Sequence, residues 1–372
     1  MACTSCGSSA TAEIYQATGS PLFQNKVYPT RALAEQSKTG DLILDYCDTC
    51  RLVSNRVFDA SLMEYDENYQ NEQANSETFV AHLADMMSII QAQGFLGKKI
   101  VEIGCGKGYF LKELWGNGFD AIGFDPSYEG GDERIVKDYF SDKYPNVKAD
   151  LIVLRHTLEH IQAPYRFLQT IAQSAPDAYI FIEVPDFNWI VNNSAFWDIF
   201  YEHCNYFTPE YFSSIFEKIV QGGCFSDQYQ YVLAPLSSLI SPSGRIKAEK
   251  VKTGGIQKST LALDALARTK SRWQVYAEKH AGMAIWGAGA KGSTFANLID
   301  PQQKYIKYVV DINPRKQGRF LAKSAHKIVS PEELLAGDVS HVLVMNPNYI
   351  LEVERLLAGR NITVEALGVE ND

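Results

Sequence analysis

Residues 101–111 read Val101-Glu-Ile-Gly-Cys-Gly-Lys-Gly-Tyr-Phe-Leu111, and this stretch decides the fold. An apolar, β-branched run, Lys99-Ile100-Val101, leads into an acid, Glu102. Three closely spaced glycines follow, Gly104, Gly106 and Gly108, and then Tyr109 to Trp115, whose pattern predicts a helix. Strand, glycine turn and helix in that order open a nucleotide-binding α/β unit. Gly104 and Gly106 let the backbone approach a ligand where a Cβ would clash. The N-terminus of the following helix offers unpaired N–H groups to that ligand.

Two features narrow the reading. The acid precedes the first glycine, in the order E-x-G-x-G-x-G. A second apolar run, Ala121-Ile-Gly-Phe124, ends in Asp125, 23 residues after Glu102. A carboxylate at that strand tip suits a ribose diol, because it accepts from both hydroxyls. Here the stretch resembles motif I of class I S-adenosylmethionine-dependent methyltransferases. The pattern of NAD enzymes, G-x-G-x-x-G, would need a third glycine where this chain has Tyr109. The plain alternative is a tight turn in an unrelated α/β domain.

A chain of 372 residues suggests two or three domains, and 46% hydrophobic with 21% charged residues is ordinary for a globular protein. The net charge of −9, from 44 acids and 35 bases, argues against a general nucleic-acid-binding surface. It leaves room for a local basic pocket holding a phosphorylated small molecule. The N-terminus, MACTSCGSS, lacks the apolar stretch of a signal peptide, and no apolar run is long enough to span a bilayer. The protein is therefore expected in the cytoplasm, away from membranes. Seven cysteines in that compartment read as metal ligands or buried thiols rather than disulfides. Cys3-Thr-Ser-Cys6 and Cys47-Asp-Thr-Cys50 form two C-x-x-C knuckles, the ligand spacing of a tetrahedral zinc site. Four thiolates leave no open position, so the expected zinc is structural. A redox C-x-x-C is the competing reading. Between the knuckles, Ile14-Tyr-Gln16 and Leu42 to Tyr46 read as strands.

Residues 59–78, DASLMEYDENYQNEQANSET, read either as an exposed linker or as a lid whose tyrosines and amides face a substrate. Ser76 is placed to cap a helix from Glu77 to Gln93, with Phe79, Leu83, Met86, Met87 and Ile90 at helical spacing. Beyond the glycine turn, Ile135-Val-Lys137 predicts a short strand. Asp138 after it is a candidate acceptor for an adenine amino group, and Tyr139 a candidate cover for the ring. A loop acid and a packed aromatic are the plain reading. Asp150 to Leu154 predicts a buried parallel strand, which delivers Arg155 and His156 to the carboxyl edge where such sheets bind ligands. Arg155 is assigned to the cofactor side and His156 to the neighbourhood of the transferred methyl group. Leu158-Glu-His160 with Pro164 matches a common methyltransferase segment, in which His160 reads as structural or cofactor-side. Strand five runs from Ala178 to Val184.

The densest polar run lies in Asp198-Ile-Phe-Tyr-Glu-His-Cys-Asn-Tyr-Phe207. A histidine beside a carboxylate is the usual equipment for proton abstraction, which puts forward His203 with Glu202, and Tyr201 and Tyr206 as pocket residues. The plain reading is a polar stretch that closes over the cofactor. Further on, Met283 to Gly292 repeats the strand–glycine–helix pattern, and Tyr308-Val-Val-Asp311 repeats a strand ending in an acid. Gly287, Gly289 and Gly292 form a weaker dinucleotide fingerprint. This unit reads as an NAD site, as a cradle for a substrate's phosphates with Lys291 near them, or as a Rossmann-like fold kept for packing.

Taken together, the chain resembles the three-domain, zinc-containing S-adenosylmethionine-dependent C-methyltransferases of deoxysugar biosynthesis. Cys3, Cys6, Cys47 and Cys50 match the zinc domain of that family, and Val101 to Gly108 its methyltransferase core. Glu202-His203 with Tyr206-Phe207 match its E-H-x-x-Y-F segment. Gly287 to Gly292, Asp311, Lys316-Gln-Gly318 and Val329 to Leu334 match its C-terminal domain. The resemblance implies an α/β chain of three units: a zinc module and lid over 1–75, a class I methyltransferase Rossmann-like core over 76–240, and a Rossmann-like substrate-binding domain over 241–372. It implies S-adenosylmethionine held by Glu102, Gly104, Gly106, Asp125, Asp138, Tyr139 and Arg155. It further implies a nucleotide-linked keto-sugar methylated on carbon through an enolate, with His203 as base oriented or tuned by Glu202. The chain departs from the family at Phe200, where a tyrosine is usual, in the lid Tyr69 to Ser76, and at Arg155-His156, all facing the substrate. An O- or N-methyltransferase of another small metabolite is the second reading, and an NAD-binding oxidoreductase the third. Oligomeric state is not legible.

Overall fold

The structure is a computed structural model and describes residues 2–66, 68–242 and 255–368. Lys99–Ile103 lies near the middle of a seven-stranded sheet. Its spatial order is Val220–Cys224, Tyr229–Pro235, Tyr179–Pro185, Leu151–Arg155, Lys99–Ile103, Asp120–Phe124, Ile135–Val136. The five strands from Tyr179–Pro185 to Ile135–Val136 run parallel, and the other two add an antiparallel hairpin. Parallel strands are covered on both faces, which is why Leu151 to Leu154 and Ile180 to Val184, apolar but for Glu183, are fully buried. Helix Glu77–Ala92 covers one face through Phe79, Leu83, Met86, Met87 and Ile90, with Phe110, Leu111 and Leu114 beside it. Leu168 and Ile171 of helix Pro164–Ser174 cover the other. This is the expected class I Rossmann-like core. The helix predicted to Gln93 ends at Ala92, and Ser76 Oγ accepts from Phe79 N at its start.

The strands predicted near the knuckles are longer than expected, Thr11–Pro21 and Thr39–Cys47. They join Val53–Asn55 and Asn205–Tyr206 in a four-stranded antiparallel sheet. The last strand follows His203 directly, so backbone pairing to the N-terminal sheet fixes the segment that carries the histidine.

In the C-terminal third, Ile328–Val329, Ile306–Val310, Met283–Trp286, His341–Val344 and Thr363–Ala366 form a five-stranded parallel sheet in that order. Helix Ala290–Ile299 follows its glycine turn, as the repeated pattern predicts. Helix Gly255–Lys279 contains the helical stretch expected from Ser259 to Lys279. Val27–Tyr28 pairs with Phe320–Leu321 and clips the N-terminal part to this unit. Among the described residues no helix is long and apolar enough to cross a membrane.

Candidate active site

The glycine turn after Lys99–Ile103 is left-handed at Gly104, Gly106 and Gly108, with φ of +79°, +55° and +74°. A Cβ on Gly104 would meet Thr157 Oγ1 at 2.2 Å, so this glycine serves both the turn and its packing. Asp125 stands at the tip of the neighbouring strand. One of its oxygens accepts from Gly106 N at 2.7 Å, the other from Ser127 N and Oγ at 2.8 and 2.6 Å. Glu102 is buried beneath the turn with Oε2 lacking a partner. Burial pushes its carboxyl up to about 7, against the pull of the Arg155 guanidinium. Turn, strand tip and buried acid thus lie together as the spacing predicted. Asp138 accepts from Tyr144 O–H at 2.9 Å and from Tyr139 N at 2.8 Å, which holds its carboxyl below the usual range. Tyr139 is 67% exposed beside it.

Arg155 and His156 converge on Glu183, a buried acid with no local sequence signal. Arg155 Nε donates to it at 2.7 Å, His82 Nε2 lies at 2.6 Å and His156 Nε2 at 3.3 Å. Burial opposes ionisation of Glu183, yet Arg155 and His156 hold its carboxyl well below the usual range. Burial opposes charge on His156 too. Glu183 and Glu159 outweigh it and raise the imidazole to about 9, so this histidine is cationic at neutral pH.

Beside this edge lies a cavity of about 260 Å³. Its walls come from three places in the chain. The lid contributes Tyr69, Asn71, Gln73 and Asn75; the sheet edge and the segment after it contribute His156, Glu159, His160 and His203; the C-terminal unit contributes Gly287, Lys291, Asp311 and Lys316. The lid reading of residues 59–78 therefore fits over 69–76, the tyrosine and amides facing the cavity. Lys107 Nζ donates to Gln70 Oε1 at 3.1 Å at one end, and Ser76 Oγ donates to Glu352 Oε2 at 2.6 Å at the other.

His203 lines the cavity, its ring 4.9 Å from that of His160 and 4.2 Å from that of Phe200. Burial, then the charges of His160, His156 and Lys291, drive its imidazole well below the usual value, so it is neutral. Glu202 lines the same cavity but does not partner the ring. The Glu202 carboxylate turns to the lid, accepting from Tyr69 O–H at 2.8 Å and from Gln24 N. Among the described residues no hydrogen bond joins it to the His203 ring. Both residues line the cavity, with the carboxylate engaged on the lid side. Tyr201 and Tyr206, expected in the pocket, do not line it. Tyr201 O–H accepts from Asp59 N at 3.0 Å, and the Tyr206 hydroxyl bonds both N and O of Phe200. Both tyrosines are buried struts that shape the segment. Lys291, expected near phosphates, is paired with both oxygens of Asp198 at 2.5 Å.

Tyr69→Phe tests the lid clasp. It leaves a buried Glu202 oxygen without its donor, which costs about 1–3 kcal/mol. Urea unfolding is expected to register that loss, and a variant within about 0.5 kcal/mol of wild type would dissolve the clasp.

The four knuckle cysteines are free thiols gathered in one place, with all sulfurs within 4.8 Å of one another. Cys3 Sγ lies 3.6 Å from Cys50 Sγ, and Cys6 Sγ 3.5 Å from Cys47 Sγ. Sulfurs around a tetrahedral Zn²⁺ with ligands at about 2.3 Å lie roughly 3.8 Å apart, so the four fit such an ion.

Residues 72–219 match the family described as a methyltransferase domain, and residues 268–361 the family described as a C-methyltransferase C-terminal domain. The C-methyltransferase NovU of Streptomyces niveus is 22% identical over 77% of this chain and 76% of its own length. Solved structures similar to this chain include an S-adenosylmethionine-dependent methyltransferase from Archaeoglobus fulgidus, at 16% identity and a TM-score of 0.33 over 43% of this chain and 99% of that one. Another is a Burkholderia thailandensis 1,6-didemethyltoxoflavin-N1-methyltransferase, at 15% identity and a TM-score of 0.32 over 42% and 79% of the two chains. With the glycine turn, the ribose-side acid and the sheet order in place, the domain matches make this chain a class I S-adenosylmethionine-dependent methyltransferase. The oxidoreductase reading of Gly287 to Gly292 gives way to it.

Proposed function

We propose that this methyltransferase transfers the methyl group to a carbon next to the ketone of a nucleotide-linked keto-sugar or a related small metabolite. The observation that carries the reading is the neutral His203 imidazole on a cavity wall shared by the cofactor-side sheet edge, the lid and the C-terminal glycine turn. The match of residues 268–361 to a C-methyltransferase C-terminal domain supports methylation at carbon. In this reading 1–75 is the zinc module and lid, 76–240 binds S-adenosylmethionine, and 241–372 binds the nucleotide end of the acceptor. Structural zinc sits on Cys3, Cys6, Cys47 and Cys50.

S-adenosylmethionine, when bound, supplies an electrophilic methyl group on a sulfonium. The chain's own residues do the rest. Glu102, Gly104, Gly106 and Asp125 would hold the cofactor, together with Asp138, Tyr139 and Arg155. His203 takes the proton from the carbon, whose electron pair delocalises to the enolate oxygen. Cationic His156 on the same wall stabilises that oxygen. Neutral base and cationic partner in one site are the acid–base pairing that divergent environments produce. With S-adenosylmethionine bound, that carbon would take the methyl group as the methyl–sulfur bond breaks toward sulfur. Glu202 acts on the lid through Tyr69.

Incubating the protein with S-adenosylmethionine and a panel of nucleotide-linked keto-sugars, hydroxy acids and amines tests the reading. A product heavier by one methyl, carbon-bound by NMR, is the expected result, and a methyl found on oxygen or nitrogen would replace it with the second reading. Asp125→Ala is expected to weaken S-adenosylmethionine binding about ten- to a hundredfold in calorimetry, since charge-assisted hydrogen bonds contribute about 1.5–3 kcal/mol each. Unchanged affinity would remove Asp125 from the cofactor site.

A further inference from the structure

Glu159 lines the cavity, and the proposed chemistry gives it no direct step. It is 1% exposed, and both of its oxygens lack a hydrogen-bond donor. A buried carboxylate without donors calls for an explanation, and a bound ion is one that also accounts for the two histidines beside it. One Glu159 oxygen, one ring nitrogen of His160 and one of His203 lie within 4.8 Å of one another. His160 Nδ1 is engaged by the Glu202 carbonyl at 3.0 Å, which leaves Nε2 as its free nitrogen. A ring nitrogen held by a backbone carbonyl while the other stays open is how ligating histidines are oriented. His156 Nδ1 lies 3.6 Å from Glu159 Oε1 at the rear of the group.

We propose that Glu159, His160 and His203 form a site for a first-row divalent cation, separate from the four cysteines. Two imidazoles and one carboxylate favour Zn²⁺, Co²⁺, Ni²⁺ or Fe²⁺ over Mg²⁺ and Ca²⁺, which prefer all-oxygen sites. Each ligand adjusts by about an ångström to reach nitrogen and oxygen distances near 2.1 Å. Bound cation turns the His203 nitrogen from base into ligand, so occupancy and proton removal exclude each other. That consequence rests on the reading of His203 as base, whereas the site itself does not.

The test uses the full chain with its cysteine site loaded with zinc. Co²⁺ is titrated and followed by calorimetry and by visible absorption, where nitrogen and oxygen ligands give d–d bands without the intense thiolate charge-transfer band. Wild type is expected to take one further equivalent. Glu159→Gln and His160→Asn are each expected to weaken it at least tenfold, with S-adenosylmethionine affinity and circular dichroism unchanged as proof of folding. Absence of a second equivalent at 100-fold excess, or equal binding by both variants, would overturn the site. With an acceptor from the panel, added Co²⁺ or Zn²⁺ is expected to suppress methyl transfer at least tenfold. Stimulation instead would keep the site and overturn His203 as the base.

Discussion

His203→Ala is expected to slow methyl transfer about 10²–10⁴-fold while S-adenosylmethionine affinity stays near that of wild type. The size follows from the worth of a positioned base in a step where proton removal is obligatory. The selectivity follows from geometry. His203 lines the cavity, while the glycine turn and Asp125 lie at another part of the sheet edge. Removing the ring does not disturb the backbone of the segment, because Asn205–Tyr206 is pinned to Val53–Asn55 and Tyr206 is anchored on Phe200. A second readout is independent of methyl transfer. Where wild type exchanges the acidic C–H of the acceptor with deuterated solvent in the absence of methyl donor, the variant is expected to lose that exchange. Near-normal turnover in His203→Ala would take the residue out of the mechanism and bring His156 forward.

Cys47→Ser is expected to release the zinc and lower stability by more than about 4 kcal/mol, the range reserved for loss of a metal or a comparable anchor. Structural Zn²⁺ contributes roughly 10–16 kcal/mol of binding free energy in isolated zinc-finger peptides, and that energy is folding energy. The loss is expected to be smaller here because the module has other supports. Cys3, Cys47 and Cys50 are buried with Phe207, Tyr211 and Phe212, and Ser5 Oγ is 3.0 Å from Tyr211 O–H. The same contacts spread the damage. Helix Pro209–Ile215 follows the His203 segment, so slower methyl transfer is expected to accompany the metal loss. Elemental analysis and denaturant unfolding check it. A wild-type protein that is free of metal and equally stable would remove zinc from the fold.

Local spacing carried much of the reading. E-x-G-x-G-x-G fixes a strand, a left-handed turn and a helix within eleven residues, all of it short-range backbone geometry, and the structure shows all three. Asp125 is read the same way, because the tip of the second strand lies beside the first turn in any parallel pair. The knuckles are legible because two residues between cysteines bring both sulfurs to one side of a tight turn. Strand ends were less legible: Leu151–Arg155 and Tyr179–Pro185 each run one residue past the expected end, as pairing across the sheet extends beyond the apolar run.

Partnerships between side chains were decided by tertiary structure alone. Sequence adjacency paired Glu202 with His203, yet the Glu202 carboxylate clasps Tyr69, 133 residues away. Tyr201 and Tyr206 have the chemistry of pocket residues, but their hydroxyls serve the backbone amides of Asp59 and Phe200. Glu183 and Glu159 looked like ordinary members of a strand and a turn. Only the pairing of Leu151–Arg155 with Tyr179–Pro185, helix Glu77–Ala92 packed over them, and Leu158–His160 beside the His203 segment brought them among Arg155, His82, His156 and His160. The sequence by itself determined the class of fold, the glycine turn with its strand-tip acid and the four thiols, because each rests on contacts within a turn or between adjacent strands. The three-walled cavity depends on surfaces from residues 69–76, 156–203 and 287–353, and chain segments that distant acquire their neighbours only when the whole molecule packs.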